Sequence, residues 1–236
     1  MKVGYVRQFI VSALLIPVLF ALWGCGKKPV EITQCFVAIN DGDTGLDAVP
    51  PNGLIADPEK QCYGLKWSIP LAYEPFLFGK PVENLSITVG LVDQAPGAHM
   101  TDVRKARDKP EISLYPQLAN EFQERIVAIK KASEETYGLK STGTLRYGME
   151  VYMPEKTAAE ATMIMFYPVK FGSFMVLCPV GAEQLVEKVD PLTLCRVTSY
   201  MNQDLFAEYH VLYSLLPQLD LINSVIVNHI LNFRVR

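Results

Sequence analysis

Apolar and polar positions change their spacing several times along the chain, and each change marks an element. Phe9 to Trp23 is one apolar run, with Lys2 and Arg7 before it and Gly26-Lys27-Lys28 after it. Residues 35–64 are rich in Asp, Gly and Pro, which favour turns. Tyr63 to Ala72 reads as a strand ending at Ile69-Pro70, and Leu85 to Val92 alternates as another. The polar stretch from Asp93 to Pro110 reads as an exposed loop. From Pro116 to Tyr137 the period lengthens: Leu118, Phe122, Ile126 and Ile129 recur at helical spacing, opposite Glu121, Glu124, Lys130 and Lys131. Gly138 is placed to stop that helix.

Strand patterning resumes over Leu145 to Met153, Thr162 to Val169, Phe174 to Cys178, Cys195 to Tyr200 and Phe206 to Tyr213. Short connections at 170–173 and 202–204 make antiparallel neighbours the expectation. After Pro217, a stripe of Leu219, Ile222, Ile226, Ile230 and Phe233 predicts a closing helix, with Arg234 and Arg236 near its negative end. This order predicts an α+β fold: an antiparallel β-sheet covered by at least two α-helices. A small N-terminal lobe beside a larger C-terminal one is compatible with the pattern.

The first apolar run alters the domain boundaries. Charged, apolar and small residues follow one another there in the order of a cleavable export signal. The run is shorter than the roughly 18 residues of a membrane helix, and Pro17 interrupts it. Leu22, Gly24 and Cys25 stand as in a lipoprotein signal, from which Trp23 departs. Residues 1–24 are thus expected to be removed, leaving Cys25 as a lipid-bearing, palmitate-type N-terminus, 25–34 as a tether and 35–236 as one domain. Several acyl chains would anchor the chain durably. The expected location is the bacterial envelope, facing the periplasm, with Gly26 in place of Asp pointing to the outer membrane.

Cysteine usage agrees with that compartment. Cys35, Cys62, Cys178 and Cys195 can pair in three ways, and proximity favours Cys35 with Cys62 and Cys178 with Cys195. No Cys-x-x-Cys spacing occurs and His99, His210 and His229 are scattered, so no metal is expected. The formal charge of -3, without a Lys/Arg block, argues against nucleic acid as a partner.

Candidate chemistry is sparse. Asp43-Thr44-Gly45 matches the short aspartic-protease motif, but no second copy supplies the paired carboxylate. Asp41, Asp43 and Asp47 approach a calcium loop without its glycine and terminal Glu, and a solvated turn explains them more simply. There is no Gly-x-Ser-x-Gly elbow, phosphate loop or dinucleotide fingerprint. No catalytic residue and no cofactor are therefore assigned, and an enzyme is not expected. Tyr73, Phe76 and Phe78, flanked by Pro75, Gly79 and Pro81, suit either a protein interface or a buried sheet edge.

The chain resembles a family: periplasm-facing lipoproteins that act as immunity proteins against antibacterial type VI secretion effectors, particularly lipases. The similarity runs through Leu65-Lys66-Trp67-Ser68-Ile69-Pro70-Leu71-Ala72-Tyr73 and Leu85-Ser86-Ile87-Thr88-Val89. It continues through Tyr137-Gly138-Leu139 and the pair Cys178 and Cys195, and ends on Leu215-Leu216-Pro217 and Asn232-Phe233-Arg234. The resemblance implies a protein whose partner is a cognate secreted toxin, neutralised by a surface and not by chemistry. Effector-contact residues are not carried over. The competing expectation is a structural or assembly lipoprotein of the envelope.

Overall fold

The structure, a computed structural model, describes residues 28–38, 54–79, 83–90, 111–116, 121–155, 162–169, 174–181, 189–202 and 205–235. Cys25, the Asp41–Asp47 turn, His99 and the 93–110 stretch lie outside them.

The described residues form twelve strands and two α-helices. A three-stranded sheet has the order β1-β3-β2, from Val30–Ala38, Cys62–Ile69 and Ile55–Asp57. A nine-stranded sheet runs β4-β5-β6-β12-β11-β10-β9-β8-β7. Its strands are β4 (Phe76–Phe78), β5 (Asn84–Thr88), β6 (Glu111–Pro116), β7 (Leu139–Arg146), β8 (Met149–Pro154), β9 (Thr162–Pro168), β10 (Phe174–Val180), β11 (Leu194–Asn202) and β12 (Leu205–Leu212). Every pairing is antiparallel.

The topology follows from one crossover. After β6, helix α1 (Glu121–Tyr137) leads to the far edge, and the β7–β12 meander walks back until β12 pairs with β6. Helix α2 (Leu219–Leu231) follows β12. The period-two alternation sends side chains to two cores, one on each side of the large sheet. On one side Val151, Ile164, Phe166, Val176, Val197 and Tyr209 join Trp67 and Ile69 of the small sheet and Ile222, Ile226 and Ile230 of α2. On the other, Tyr152, Met165, Met175, Leu177 and Phe206 pack against Phe122 and Ile126 of α1. The small sheet shares the larger core, so the two lobes have no separate interiors.

The boundaries depart from the sequence expectations in four places. β1 begins at Val30, within the stretch read as a tether, and the turn-rich region after it contains β2. The predicted strand from Leu145 to Met153 holds a hairpin turn: Tyr147 and Gly148 both have positive φ, 54° and 75°, and β7 and β8 meet there. Pro116 ends β6 and does not begin a helix; α1 starts at Glu121 and is followed by Gly138 at φ 63°. Phe233 lies beyond α2, where the chain returns to pair with β3: Ser68 N–H donates to the Phe233 carbonyl at 2.8 Å and Val235 N–H to that of Lys66 at 2.9 Å.

Two disulfides staple neighbouring strands. Cys35 bonds Cys62 between β1 and β3, with Cα atoms 5.7 Å apart. Cys178 bonds Cys195 between β10 and β11, with Cα atoms 4.2 Å apart, inside the larger core. These are the pairings that sequence proximity favours, and they fit an oxidising compartment. Among the described residues, no helix is long and apolar enough to cross a membrane.

Polar groups inside the larger core are paired. Asn223 of α2 accepts hydrogen bonds from Tyr209 Oη at 2.8 Å and Ser199 Oγ at 2.5 Å, tying the helix to the sheet. Burial pushes the Tyr209 phenol well above its ordinary value.

His229 near the end of α2 meets Tyr73, whose hydroxyl is 3.1 Å from Nε2, and Phe233, whose ring centroid is 5.0 Å away. Burial holds this imidazole below its ordinary value of 6.5. A depressed imidazole means that the unfolded chain binds the proton more readily. Its stabilising contribution is therefore complete above 6.5 and is lost as pH falls through the lower native value. The melting temperature is expected to fall between pH 7 and pH 5 by more in the wild type than in His229→Gln. Identical profiles in differential scanning calorimetry would exclude His229 as a contributor.

Candidate binding face

Helix α1 covers only part of its side of the large sheet, and next to it the strand register builds two transverse rows. The first is aromatic. Phe76 and Phe78 of β4 lie on one face of the edge strand, with ring centroids 5.6 Å apart. Phe78 meets Tyr115 of β6 edge-on at 6.3 Å, and Tyr115 stacks on Phe206 of β12 at 4.9 Å with planes 8° apart. Phe206 then reaches Phe122 of α1 at 6.3 Å, and Phe122 reaches Tyr200 of β11 at 5.4 Å. The second row, polar beyond Phe76, runs from it across the sheet: Phe76 stands opposite Ser86, Ser86 opposite Ser113, Ser113 opposite Glu208, and Glu208 opposite Thr198.

Arg125 of α1 joins the rows. Its guanidinium lies 4.4 Å from the Phe206 ring centroid and 5.7 Å from that of Tyr115. Its Nη2 is 3.5 Å from Glu208 Oε1, and Thr198 Oγ1 donates to the same oxygen at 3.5 Å. Glu208 is the more buried partner, at 16% side-chain exposure against 44% for Arg125. Burial first, and then the Glu208 charge, raise the Tyr115 phenol above its usual range, while Arg125 opposes them. On the neighbouring polar positions, Ser86 Oγ donates to Glu111 Oε1. His210, opposite Arg196, is held below the usual imidazole range by burial and then by that arginine.

The helix is positioned by its own spacing. Phe122, Ile126 and Ile129 face the sheet, and Arg125 and Lys130 flank them. Lys130 mirrors Arg125 at the other end of the contact, 4.9 Å from the Tyr152 ring centroid and 5.3 Å from that of Tyr167. The apolar stripe is thin, so two cations over aromatic rings complete the attachment.

Phe122 and Phe206 are buried in the second core, and Phe76 and Arg125 are the exposed groups of these rows, the ones a protein can meet. Rigid aromatic rings and an arginine are the groups that carry binding energy at interfaces, and Phe76 at the outer end of the row is 40% exposed. Among the described residues, no group of three His, Cys, Asp or Glu side chains could hold a metal ion.

The aromatic cluster that stands out along the chain divides in space. Tyr73 is buried against His229 and Phe233, whereas Phe76 and Phe78 open the row. His210 and His229 fall into separate environments, on β12 and α2. Arg125, Tyr115, Phe206 and Glu208 carry no motif. The one local signal is Glu208-x-His210 after Phe206, two polar residues on one face of an otherwise apolar strand.

No protein-family model matches the chain, and no curated protein matches it in sequence. Among solved structures, it is similar to an immunity protein of the Stenotrophomonas maltophilia type IV secretion system, with 12% identity and a TM-score of 0.46 over 78% of this chain and 93% of that one.

Proposed function

We propose that the chain is a periplasm-facing immunity lipoprotein that binds and neutralises a secreted antibacterial effector, of the lipase kind delivered by type VI secretion. The observation that carries this reading is the exposed outer end of the aromatic row, Phe76, together with the exposed Arg125 held over the buried Phe206 ring behind it, groups of the kind that anchor protein interfaces. The export signal and lipidation of Cys25 expected from the sequence, together with the two disulfides, support it. Neutralisation is stoichiometric: aromatic anchors supply affinity, the Arg125–Glu208 pair supplies register, and tethering raises the local concentration at the membrane.

The deciding experiment deletes the gene and challenges those cells with a secreting sibling. Loss of survival, restored by the wild-type gene, supports the reading; unchanged survival, with no binding to the effector encoded beside the gene, sinks it. Phe76→Ala and Arg125→Glu are each expected to weaken effector binding by about 10-fold or more, as for interface hot spots. Leu145→Ala, on the opposite sheet edge, is expected to leave it unchanged. Isothermal titration calorimetry with the four purified proteins checks this, circular dichroism confirming that each is folded.

A further inference from the structure

We infer that the end of the small sheet where β1 enters, marked by Lys28 and Leu71, rests on the phospholipid bilayer that holds the acyl chains of Cys25. The inference rests on the lipoprotein reading above and adds an orientation to it. Four residues, Gly26 to Pro29, separate Cys25 from Val30. Fully extended, that segment puts the first residue of β1 no more than about 18 Å from the lipidated cysteine. The headgroup layer, about 5–8 Å on each side of the hydrocarbon, takes up part of that span. The domain has no long stalk.

Strand pairing then dictates which part of the domain is close. β1 and β3 are antiparallel, and Val30 stands opposite Ile69, so β1 begins where β3 ends. Leu71 follows two residues later, after Pro70, and is 43% exposed. Lys28 is exposed at the same end, next to Lys27 in the sequence. An exposed leucine at the same end as the exposed Lys28 matches a surface of lipid acyl chains and anionic headgroups. The orientation also bears on the binding face. Phe76 lies five residues beyond Leu71 in the sequence, hence within about 18 Å of it. The exposed start of the aromatic row is thereby kept near the bilayer, where an effector attacking lipid must work.

The test uses the full lipidated chain in vesicles of phosphatidylethanolamine and phosphatidylglycerol. A single environment-sensitive dye is attached at Leu71→Cys or, as the comparison, at Leu145→Cys on β7. Cys35, Cys62, Cys178 and Cys195 are bonded, so the introduced thiol is the reactive one. At Leu71, a blue-shifted emission and at least twofold stronger quenching by headgroup-labelled lipid than at Leu145 support the orientation. Equal quenching at the two positions, with the protein still floating on vesicles, overturns it and leaves the lipid anchor intact. Cys25→Ala is expected to lose flotation; equal flotation overturns both the anchor and the orientation. Effector binding by the protein in solution is measured separately, so its failure is distinguishable from either.

Discussion

Replacing Gly64 with alanine is expected to cost the fold about 4 kcal/mol or more, a large share of a typical domain's stability. A Cβ at this position would lie 2.1 Å from the Gln34 carbonyl oxygen, 2.7 Å from its carbon and 3.1 Å from Cys35 Cα. All three are backbone atoms of β1, so no side chain can rotate away. Retreat of β1 is opposed at several points. Cys35 is bonded to Cys62, its amide donates to Glu83 Oε2 at 2.9 Å, and its carbonyl accepts from Glu83 N–H at 2.8 Å. The Gln34 side chain is bound to the large sheet as well. Gly138→Ala is the comparison: nothing lies within 4 Å of its Cβ, and the positive φ alone is expected to cost about 1–2 kcal/mol. Urea unfolding of both variants checks this. A Gly64→Ala protein as stable as Gly138→Ala would show that β1 can move, and the account of its attachment would fail.

Trp67→Ala is expected to destabilise the protein by about 3–5 kcal/mol, the range for deleting a large aromatic side chain from a core. Trp67 is fully buried in the shared core, opposite Ile32 on one side and Arg234 on the other. Its indole N–H donates to Gln34 Oε1 at 3.1 Å, and Gln34 Nε2 donates to the carbonyls of Leu114 and Glu83, each at 3.0 Å. That relay is a polar link between the two sheets. Trp67→Phe separates the parts of the effect: it keeps most of the ring volume but leaves a buried acceptor on Gln34 unpaired, for about 1–3 kcal/mol. Unfolding followed by far-ultraviolet circular dichroism should rank wild type, Trp67→Phe and Trp67→Ala in that order. Equal losses in the two variants would mean that packing contributes nothing beyond the hydrogen bond.

Both predictions concern the small sheet, the part least legible along the chain. Asp, Gly and Pro between residues 35 and 64 suggest turns, and a strand already underway at Val30 is concealed by the polar Glu31, Thr33 and Gln34. Gln34 is wholly buried because Trp67 and two carbonyls satisfy its amide, a condition no periodicity reports. The binding face was legible in part. Phe76 and Phe78 stand out as aromatics among turn residues, but their continuation through Tyr115, Phe206 and Phe122 depends on strands far apart in sequence becoming neighbours.

The sequence by itself determined the antiparallel sheet and both helices, because apolar spacing at two or at three to four residues decides which side of an element can be buried; that the sheet dominates, with helices covering it only in part, is seen in the structure. It also carried the expectations of export, lipidation at Cys25 and two local disulfides, which depend on residue type and separation along the chain. Only the tertiary structure decided which strands adjoin, since register depends on which apolar faces meet once the chain collapses. Arg125 is the plainest case: on the sequence it is one charge on a helix, and the return of β12 to β6 makes it the cation between Glu208 and two stacked rings.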